Sequence, residues 1–224
     1  MNKKIFIHIP KNAGCTINMS EDLSNKIIPS SSIVHQNKDY SKNVFDNVRI
    51  LPEDEVLLDH ARWIDLDPNI TKKYKSFSVI RNPWARAASR YFYALKNYKE
   101  GHPVPVNVFS FESFIEERHY WIQKPYMWHS ATRGWYCALD YVTNSDGKLV
   151  CDMLSFENLD SDLCDFFALQ SPPKRRNITG LGDGKYRDIY NKKTIQIIAD
   201  WYKKDIDMFG YDFDTGPTKN VWKK

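Results

Sequence analysis

A short loop near the start of the chain carries the residue types best suited to bind a phosphate group. The apolar run Phe6–Ile9 has the pattern of a buried strand, and a proline, a lysine, a glycine and a threonine follow it. Where a loop enters a helix, the first backbone N–H groups lack partners and the helix dipole favours an anion. A glycine permits close backbone approach, a lysine adds positive charge and a threonine hydroxyl donates a hydrogen bond. The candidate phosphate loop comprises Lys11, Asn12, Ala13, Gly14, Cys15 and Thr16.

The order of residues in this loop differs from that of the Walker A phosphate loop. A Walker A sequence places its lysine directly after the second glycine, whereas Lys11 precedes Gly14 here. On this local pattern alone, an ordinary turn between a strand and a helix is the structural alternative.

His60 is the candidate proton acceptor. Val56–Leu58 predicts a short buried strand, and His60 follows its end, where α/β proteins place catalytic side chains. An imidazole of near-neutral pKa can take a proton from a hydroxyl group. The alternative is a histidine that only binds a backbone carbonyl. His8 lies inside the first strand pattern, which indicates a structural role.

A second cationic segment follows the run Ser76–Ile80, which predicts a third strand. Pro83 suits the first turn of a helix. The apolar residues of that helix recur on one face, at Trp84, Ala88, Tyr91 and Leu95. We expect Arg81, at the strand end, and Ser89, two turns along the helix, to reach one anion together. Arg86 and Arg90 are interpreted as solvated or paired charges on the helix face.

The composition is that of one globular domain, residues 1–224, with a sizeable core. No run of about 18 apolar residues occurs, and the chain enters its first strand without a leader. This predicts a cytoplasmic protein without a transmembrane segment, or a trimmed catalytic domain. The formal net charge is +4, which suits an anionic ligand but is too small to indicate nucleic acid. The oligomeric state stays open.

The four cysteines, Cys15, Cys137, Cys151 and Cys164, lack the spacing of metal ligands. We expect free thiols in a reducing compartment and no bound metal. A disulfide between two of the later three is the alternative.

The remaining pattern is that of an α/β protein. Helices are predicted over Ile17–Lys26, about 111–118, from Leu159 through Phe167, and along a final stretch that carries Tyr190, Ile197, Ile198, Trp201 and Met208. A loop-rich connection with at most one strand is predicted over 30–52. Residues 96–139 form an expected acceptor-binding insertion. Its aromatic side chains, Trp121, Trp128 and Trp135, either stack on an acceptor or pack within the insertion.

Two of these motifs together resemble the paired signature of sulfotransferases that use 3′-phosphoadenosine 5′-phosphosulfate (PAPS). Pro10-Lys11-x-x-Gly14-x-Thr16 resembles their 5′-phosphosulfate loop, and Arg81-x-Pro83-x-x-Arg86-x-x-Ser89-x-Tyr91 resembles their 3′-phosphate site. Asn82 stands where this family frequently has aspartate.

Further stretches extend the resemblance to carbohydrate sulfotransferases of the heparan sulfate 2-O and 6-O type. His60-Ala61-x-Trp63-x-x-Leu66 is similar to the segment that carries their catalytic base. The run Val150–Leu159 is similar to a strand and helix start common in the family. Asn177 and Tyr186 resemble recurrent positions of a late loop that closes over the cofactor, with a solvated basic turn as the alternative.

The resemblance implies a central, mostly parallel sheet flanked by helices, in a P-loop-kinase-like sulfotransferase core. It implies transfer of a sulfuryl group from PAPS to an acceptor hydroxyl, with His60 as general base and Lys11 stabilising the leaving phosphate. Arg81 and Ser89 would hold the 3′-phosphate. We expect a carbohydrate acceptor, with a small-molecule alcohol or phenol also open. A kinase-like phosphoryl transferase and a non-catalytic nucleotide-binding or glycan-binding module are the competing interpretations.

Overall fold

The computed structural model describes residues 2–34, 59–124, 128, 130–176 and 184–223. Four short strands in this part of the chain form one sheet in the order β2-β1-β3-β4. All of their pairings are parallel, with Ile5 opposite Ser76 and Ser76 opposite Cys151. This confirms the predicted α/β class with a central parallel sheet. The strands are β1 (Lys4–Ile7), β2 (Ile27–Pro29), β3 (Ser76–Ile80) and β4 (Cys151–Ser155).

Helices cover both faces of the sheet. Side chains along each strand alternate between the two faces, so both faces carry apolar side chains that need to be covered. Ile5 and Ile7 belong to one hydrophobic cluster and Phe6 to the other. The helices are α1 (Gly14–Asn18), α2 (Glu21–Ser24), α3 (Pro68–Thr71), α4 (Pro83–Lys99), α5 (Phe111–Glu116), α6 (Arg118–Ile122), α7 (Leu139–Val142), α8 (Leu159–Phe167), α9 (Lys192–Trp201) and α10 (Lys203–Phe209). Apolar residues of α1, α2 and α8 line the smaller cluster; those of α4, α5, α7, α9 and α10 line the larger one.

Helix α4 is the longest of the described helices and begins where its sequence signals predict. Pro83 occupies the first turn, and the Asn82 side chain accepts hydrogen bonds from the N–H groups of Trp84 (3.0 Å) and Ala85 (3.2 Å). Trp84, Ala88 and Tyr91 are buried as expected. The same holds for the predicted stripe of α8, formed by Leu159, Leu163, Phe166 and Phe167.

Several predicted helices are shorter than expected. The helix predicted over Ile17–Lys26 is replaced by α1 and α2, because Ser20 is extended and caps a new helix, and the chain then enters β2. The helix over 111–118 divides into α5 and α6. The final helix divides into α9 and α10 at Tyr202. The expected strand Val56–Leu58 lies outside the described residues.

Two further predictions, on the cysteines and on membrane-spanning helices, can be compared with the structure. All four cysteines are free thiols, as predicted. None of the helices in the described ranges is both long and apolar enough to span a bilayer.

Candidate functional site

The candidate phosphate loop leaves β1 and turns in an unusual backbone conformation. Lys11 and Ala13 have φ values of 67° and 65°, a left-handed geometry that non-glycine residues seldom adopt. Two arginines hold the carbonyl groups of this turn: Arg86 Nε donates to Pro10 O (3.2 Å), and Arg81 Nη1 donates to Lys11 O (3.0 Å). Alternating left-handed residues of this kind turn successive backbone amides toward one side, as in anion-binding nests.

Asn12 has a structural task in this turn. Its side chain is buried, and Nδ2 donates to the carbonyl oxygen of Val79 at 2.8 Å. The loop is thereby attached to the end of β3, from which Arg81 follows two residues later. The Asn12 backbone N–H also donates within the turn, to the carbonyl oxygen of Ile9 at 3.3 Å. The predicted contact between Asn12 and the cofactor stays a prediction.

Helix α1 contributes local amide groups rather than a strong helix dipole. Its first hydrogen bond runs from Ile17 N–H to Ala13 O, so the amides of Gly14, Cys15 and Thr16 precede the hydrogen-bonded turn. The helix has only five residues, which makes its dipole small. Positive charge at the site consequently depends on side chains. The half-buried Cys15 thiol also lies in this stretch.

Thr16 connects the loop to a distant segment. Its buried hydroxyl oxygen accepts a hydrogen bond from the Arg176 backbone N–H at 3.1 Å. Residues 160 positions apart in sequence therefore meet at the start of α1. Asn177, the next residue, lies outside the described residues, as does the rest of the predicted closing loop up to residue 183.

Lys11 forms no ion pair with a carboxylate among the residues that the structure describes. Its Nζ atom lies 3.9 Å from the centroid of the Tyr93 ring, within cation–π range. Burial lowers the pKa of Lys11 to about 8, and repulsion from Arg81 acts in the same direction. No carboxylate of the described chain is among the charges that act on this ammonium group. An ammonium group in such surroundings is stabilised by a bound anion.

Arg81 contacts the loop, and Ser89 lies on the face of α4 that contacts it. The Arg81 guanidinium lies over the Phe156 ring at 4.1 Å while it bonds Lys11 O. Ser89 is buried on α4, three residues after Arg86 and four before Tyr93. Residues at this spacing share a helix face, and here that face touches Pro10 through Arg86 and Lys11 through Tyr93. The predicted anion partners therefore flank the same turn.

Gly14 is required by a side chain that packs on it. A Cβ atom at this position would lie 1.6 Å from His8 Nε2, so no other residue fits without moving the imidazole. The φ angle of Gly14 is not positive, and backbone freedom is not the reason for the glycine. The glycine is needed because the His8 ring approaches its Cα atom so closely. The prediction placed His8 inside the first strand. Strand β1 ends at Ile7, so His8 lies directly after it, beside the candidate loop.

His60 is fixed beside His8. Its Nδ1 atom lies 2.9 Å from the His8 carbonyl oxygen, and the two ring centroids are 4.2 Å apart at 61°. A carbonyl oxygen only accepts hydrogen bonds, so Nδ1 carries the proton and the lone pair of the neutral ring is on Nε2. Burial lowers the pKa of His8 well below its usual value, and His60 lowers it further. A neutral imidazole with a defined tautomer can act as a general base.

The neighbours of His60 join it to the insertion. The Arg62 side chain makes two hydrogen bonds to Asp65, at 2.9 and 3.0 Å, and lies over the Trp128 ring at 4.2 Å. Trp128 and Trp135 are 5% and 1% exposed. Of the two alternatives for these aromatics, packing within the fold is therefore confirmed for both.

Tyr186 is placed against the C-terminal segment. Its hydroxyl donates to the Phe213 carbonyl oxygen at 2.5 Å, and its ring contacts those of Phe213 and Tyr190. Its predicted contact with a cofactor stays a prediction.

Two arginines of α4 were wrongly interpreted as solvated or paired charges. Arg86 and Arg90 are 2% and 0% exposed, and their hydrogen bonds go mainly to backbone carbonyl oxygens. The sequence contains a signal for this. Alanines at 85, 87 and 88 surround the apolar stripe, and a helix apolar on most sides is buried on most sides. Tyr93, the ring partner of Lys11, has no comparable signal.

Comparison with known proteins gives one distant likeness. No protein-family model matches the chain, and no curated protein matches it. A solved structure described as the crystal structure of a sulfotransferase from Alicyclobacillus acidocaldarius is similar at 15% identity, with a TM-score of 0.46. The likeness covers 95% of this chain and 98% of that chain. At this identity and TM-score it bears on neither the reaction nor the substrates of the present chain.

Proposed function

We propose that this protein is a sulfotransferase that moves the sulfuryl group of PAPS to a hydroxyl group of a carbohydrate acceptor. The observation that carries the proposal is the environment of Lys11. Its ammonium group lies in the turn after β1, beside Arg81 and against an aromatic ring, with no carboxylate of the described residues acting on it. The motif resemblance of this turn supports PAPS as the anion.

The donor would bind through two cationic positions. Lys11 and the amides of residues 13–16 would take the 5′-phosphosulfate, and Arg81 with Ser89 would take the 3′-phosphate. Both positions would lie at the turn after β1, where Arg81 bonds the carbonyl of Lys11. A 3′,5′-bisphosphate places negative charge at both, whereas a 5′-monophosphate reaches one. Asn177 and Tyr186 are the predicted contacts of the closing loop.

In the transfer step, His60 Nε2 would take the proton of the acceptor hydroxyl as its oxygen forms a bond to sulfur. The bond between sulfur and the bridging phosphate oxygen breaks, and the 5′-phosphate leaves with the electron pair. Lys11 would stabilise the charge that develops on the leaving oxygen and on the equatorial sulfuryl oxygens. A general base of this type contributes on the order of 10²–10⁴-fold in rate. The step as proposed uses no metal ion.

Calorimetric titration with 3′-phosphoadenosine 5′-phosphate, 5′-AMP and ATP with Mg²⁺ tests the donor class. We expect selective binding of the 3′,5′-bisphosphate. Arg81→Ala should weaken that binding by roughly ten- to a hundredfold, the value of a charge-assisted hydrogen bond, and weaken 5′-AMP clearly less, since 5′-AMP loses only the support that Arg81 gives to the Lys11 carbonyl.

Arg175→Ala is the matched control. The Arg175 guanidinium lies over the same Phe156 ring, at 5.4 Å, but pairs with Asp160. It should leave both affinities unchanged. Preference for ATP with Mg²⁺ would replace the proposal by a phosphoryl transferase. Selective binding of the bisphosphate without transfer of labelled sulfate to any hydroxyl acceptor would indicate a non-catalytic binding module.

A further inference from the structure

The Tyr93 side chain lies where the phosphate loop meets helix α4. Tyr93 follows Arg86 by seven residues, two helical turns, and is therefore on the same face of α4. Arg86 bonds Pro10 O, and the half-buried Tyr93 ring receives the Lys11 ammonium group at 3.9 Å. The loop thus rests on α4 at two consecutive residues, once by its backbone and once by the lysine side chain.

The charges around Lys11 do not favour an ammonium group. Arg81, at the end of β3, repels it most strongly. The other charged or titratable groups that face it are Arg90 and Lys96 of α4, Cys15 of α1 and His8 at the end of β1. Four of these five are cations or can become cations, and only the thiol acts in the favourable direction when ionised. The face of an aromatic ring carries negative partial charge and attracts a cation.

We propose that Tyr93 is a positioning residue whose ring face keeps Lys11 charged and in place beside the loop until an anionic donor binds. The inference rests on the proposed function, because it takes the donor phosphate as the group that later replaces the ring. The attraction belongs to the ring and not to the hydroxyl group, so phenylalanine at this position should perform as well as tyrosine. An aliphatic side chain should not.

The first experiment measures Lys11 alone, without any nucleotide. Competitive acetylation of the folded protein at a series of pH values, followed by mass spectrometry of the Lys11 peptide, gives its titration curve. In the wild type we expect a midpoint of about 8, since burial and Arg81 lower the pKa of Lys11. In Tyr93→Leu the midpoint should fall by roughly half a pH unit to one unit, the shift that a partly desolvated cation–π contact supports. Tyr93→Phe should retain the wild-type midpoint.

Tyr98→Leu is the control on the same helix, since Tyr98 is 53% exposed. It should leave the curve unchanged. Tyr93→Met provides a second ring-free variant if Tyr93→Leu is poorly folded. A midpoint that stays in place or rises in both ring-free variants would overturn the inference, because the ring would then act mainly by excluding water. A fall in Tyr93→Phe as large as in Tyr93→Leu would also overturn it.

The second experiment repeats the comparison with 3′-phosphoadenosine 5′-phosphate as the ligand. Wild-type affinity should decrease as the pH rises through about 8, because Lys11 loses its charge there. The decrease should begin at lower pH in Tyr93→Leu, with about 1.5- to threefold weaker binding near pH 7.5. A shifted Lys11 titration without nucleotide binding by the wild type would reject the proposed function and leave the contact between ring and lysine standing.

Discussion

The backbone carbonyl of His8 orients the imidazole of His60 through a 2.9 Å hydrogen bond to Nδ1. In many catalytic and metal-binding sites a carboxylate performs this task, and it also stabilises the protonated ring. A carbonyl group fixes the same tautomer with less charge stabilisation. The neighbouring His8 ring adds repulsion when both are protonated, which favours the neutral form of the pair.

Replacement of His60 should separate chemistry from donor binding. We expect His60→Ala to lower the rate of sulfuryl transfer by about 10²–10⁴-fold, the usual contribution of a general base. Binding of 3′-phosphoadenosine 5′-phosphate should change little, because the proposed donor contacts come from Lys11, Arg81 and Ser89. Initial rates with labelled donor and calorimetry check the two parts. The exposed His102→Ala is the control, and near-normal transfer by a folded His60→Ala protein would exclude His60 as the base.

The packing of His8 on Gly14 predicts a steric effect. Gly14→Ala places a Cβ atom 1.6 Å from His8 Nε2 and should lower the free energy of unfolding by about 1–3 kcal/mol, as overpacking does. Urea denaturation measures this value. The same substitution should cost clearly less in a His8→Ala background, because the ring is then absent.

Gly216→Ala is the matched control for Gly14→Ala. The nearest atom to its added Cβ would be Glu157 Cβ at 3.6 Å, an ordinary contact. It should change the free energy of unfolding little. Equal costs of Gly14→Ala in the presence and absence of His8 would show that the His8 ring is not the obstacle.

The parts of the fold that the sequence predicts correctly are those whose signals are local. Strand β3 has the predicted bounds because Phe77, Val79 and Ile80 are residue types that favour strands, and the polar Arg81 and Asn82 with Pro83 end the run. Helix α4 starts at Pro83 because proline and an asparagine cap are signals within two residues. Strand β2 was missed, since three residues ending in proline are too few for a pattern.

The site depends on contacts between distant residues, and these set the limit of prediction. Lys11, His60, Arg81 and Ser89 could be selected by residue type and by resemblance. Gly14 is needed because the His8 ring packs on it, and Thr16 accepts a hydrogen bond from the backbone of Arg176. Neither contact can be recognised from a local sequence pattern. Burial of Arg86 and the position of Tyr93 against Lys11 likewise follow from the packing of α4 on the loop.

The hydrogen bonds of the Asn82 side chain predict that aspartate, which is common at this position of the related motif, would destabilise this protein. Its Oδ1 caps α4, while Nδ2 donates to the carbonyl oxygens of Asp212 (2.9 Å) and Thr215 (3.0 Å). Asn82→Asp keeps the cap but places a carboxylate oxygen against two carbonyl oxygens. We expect a loss of about 1–3 kcal/mol in the free energy of unfolding, the cost of unsatisfied buried polar groups.

The exposed cap of α3 offers the control for this substitution. Asp67 Oδ1 accepts a hydrogen bond from Asn69 N–H at 2.8 Å, and its other oxygen faces no carbonyl oxygen in a hydrogen bond of the described residues. Asp67→Asn should therefore be nearly neutral in the same urea experiment. A neutral Asn82→Asp would mean that the C-terminal segment is not held through Nδ2.

The buried carboxyl group of Asp205 should make the free energy of unfolding depend on pH. It is 1% exposed, and its carboxylate accepts hydrogen bonds from the N–H groups of Ala138 (2.7 Å) and Leu139 (3.0 Å). Burial raises its pKa to about 6, against the opposing effect of Arg86, whereas an aspartate in the unfolded chain has a pKa of about 3.9. The folded state therefore takes up a proton before the unfolded state does as the pH falls.

The stabilising contribution of this proton uptake is complete below about pH 4 and disappears as the pH rises through about 6. Other groups also titrate in this range, so the measured quantity is the difference in free energy of unfolding between the wild type and Asp205→Asn. That difference should grow in favour of the wild type between about pH 7 and pH 4, by at most about 3 kcal/mol. Asp200→Asn, at an exposed position of α9, is the control. A difference that stays constant across this range would show that Asp205 titrates alike in the folded and unfolded chain.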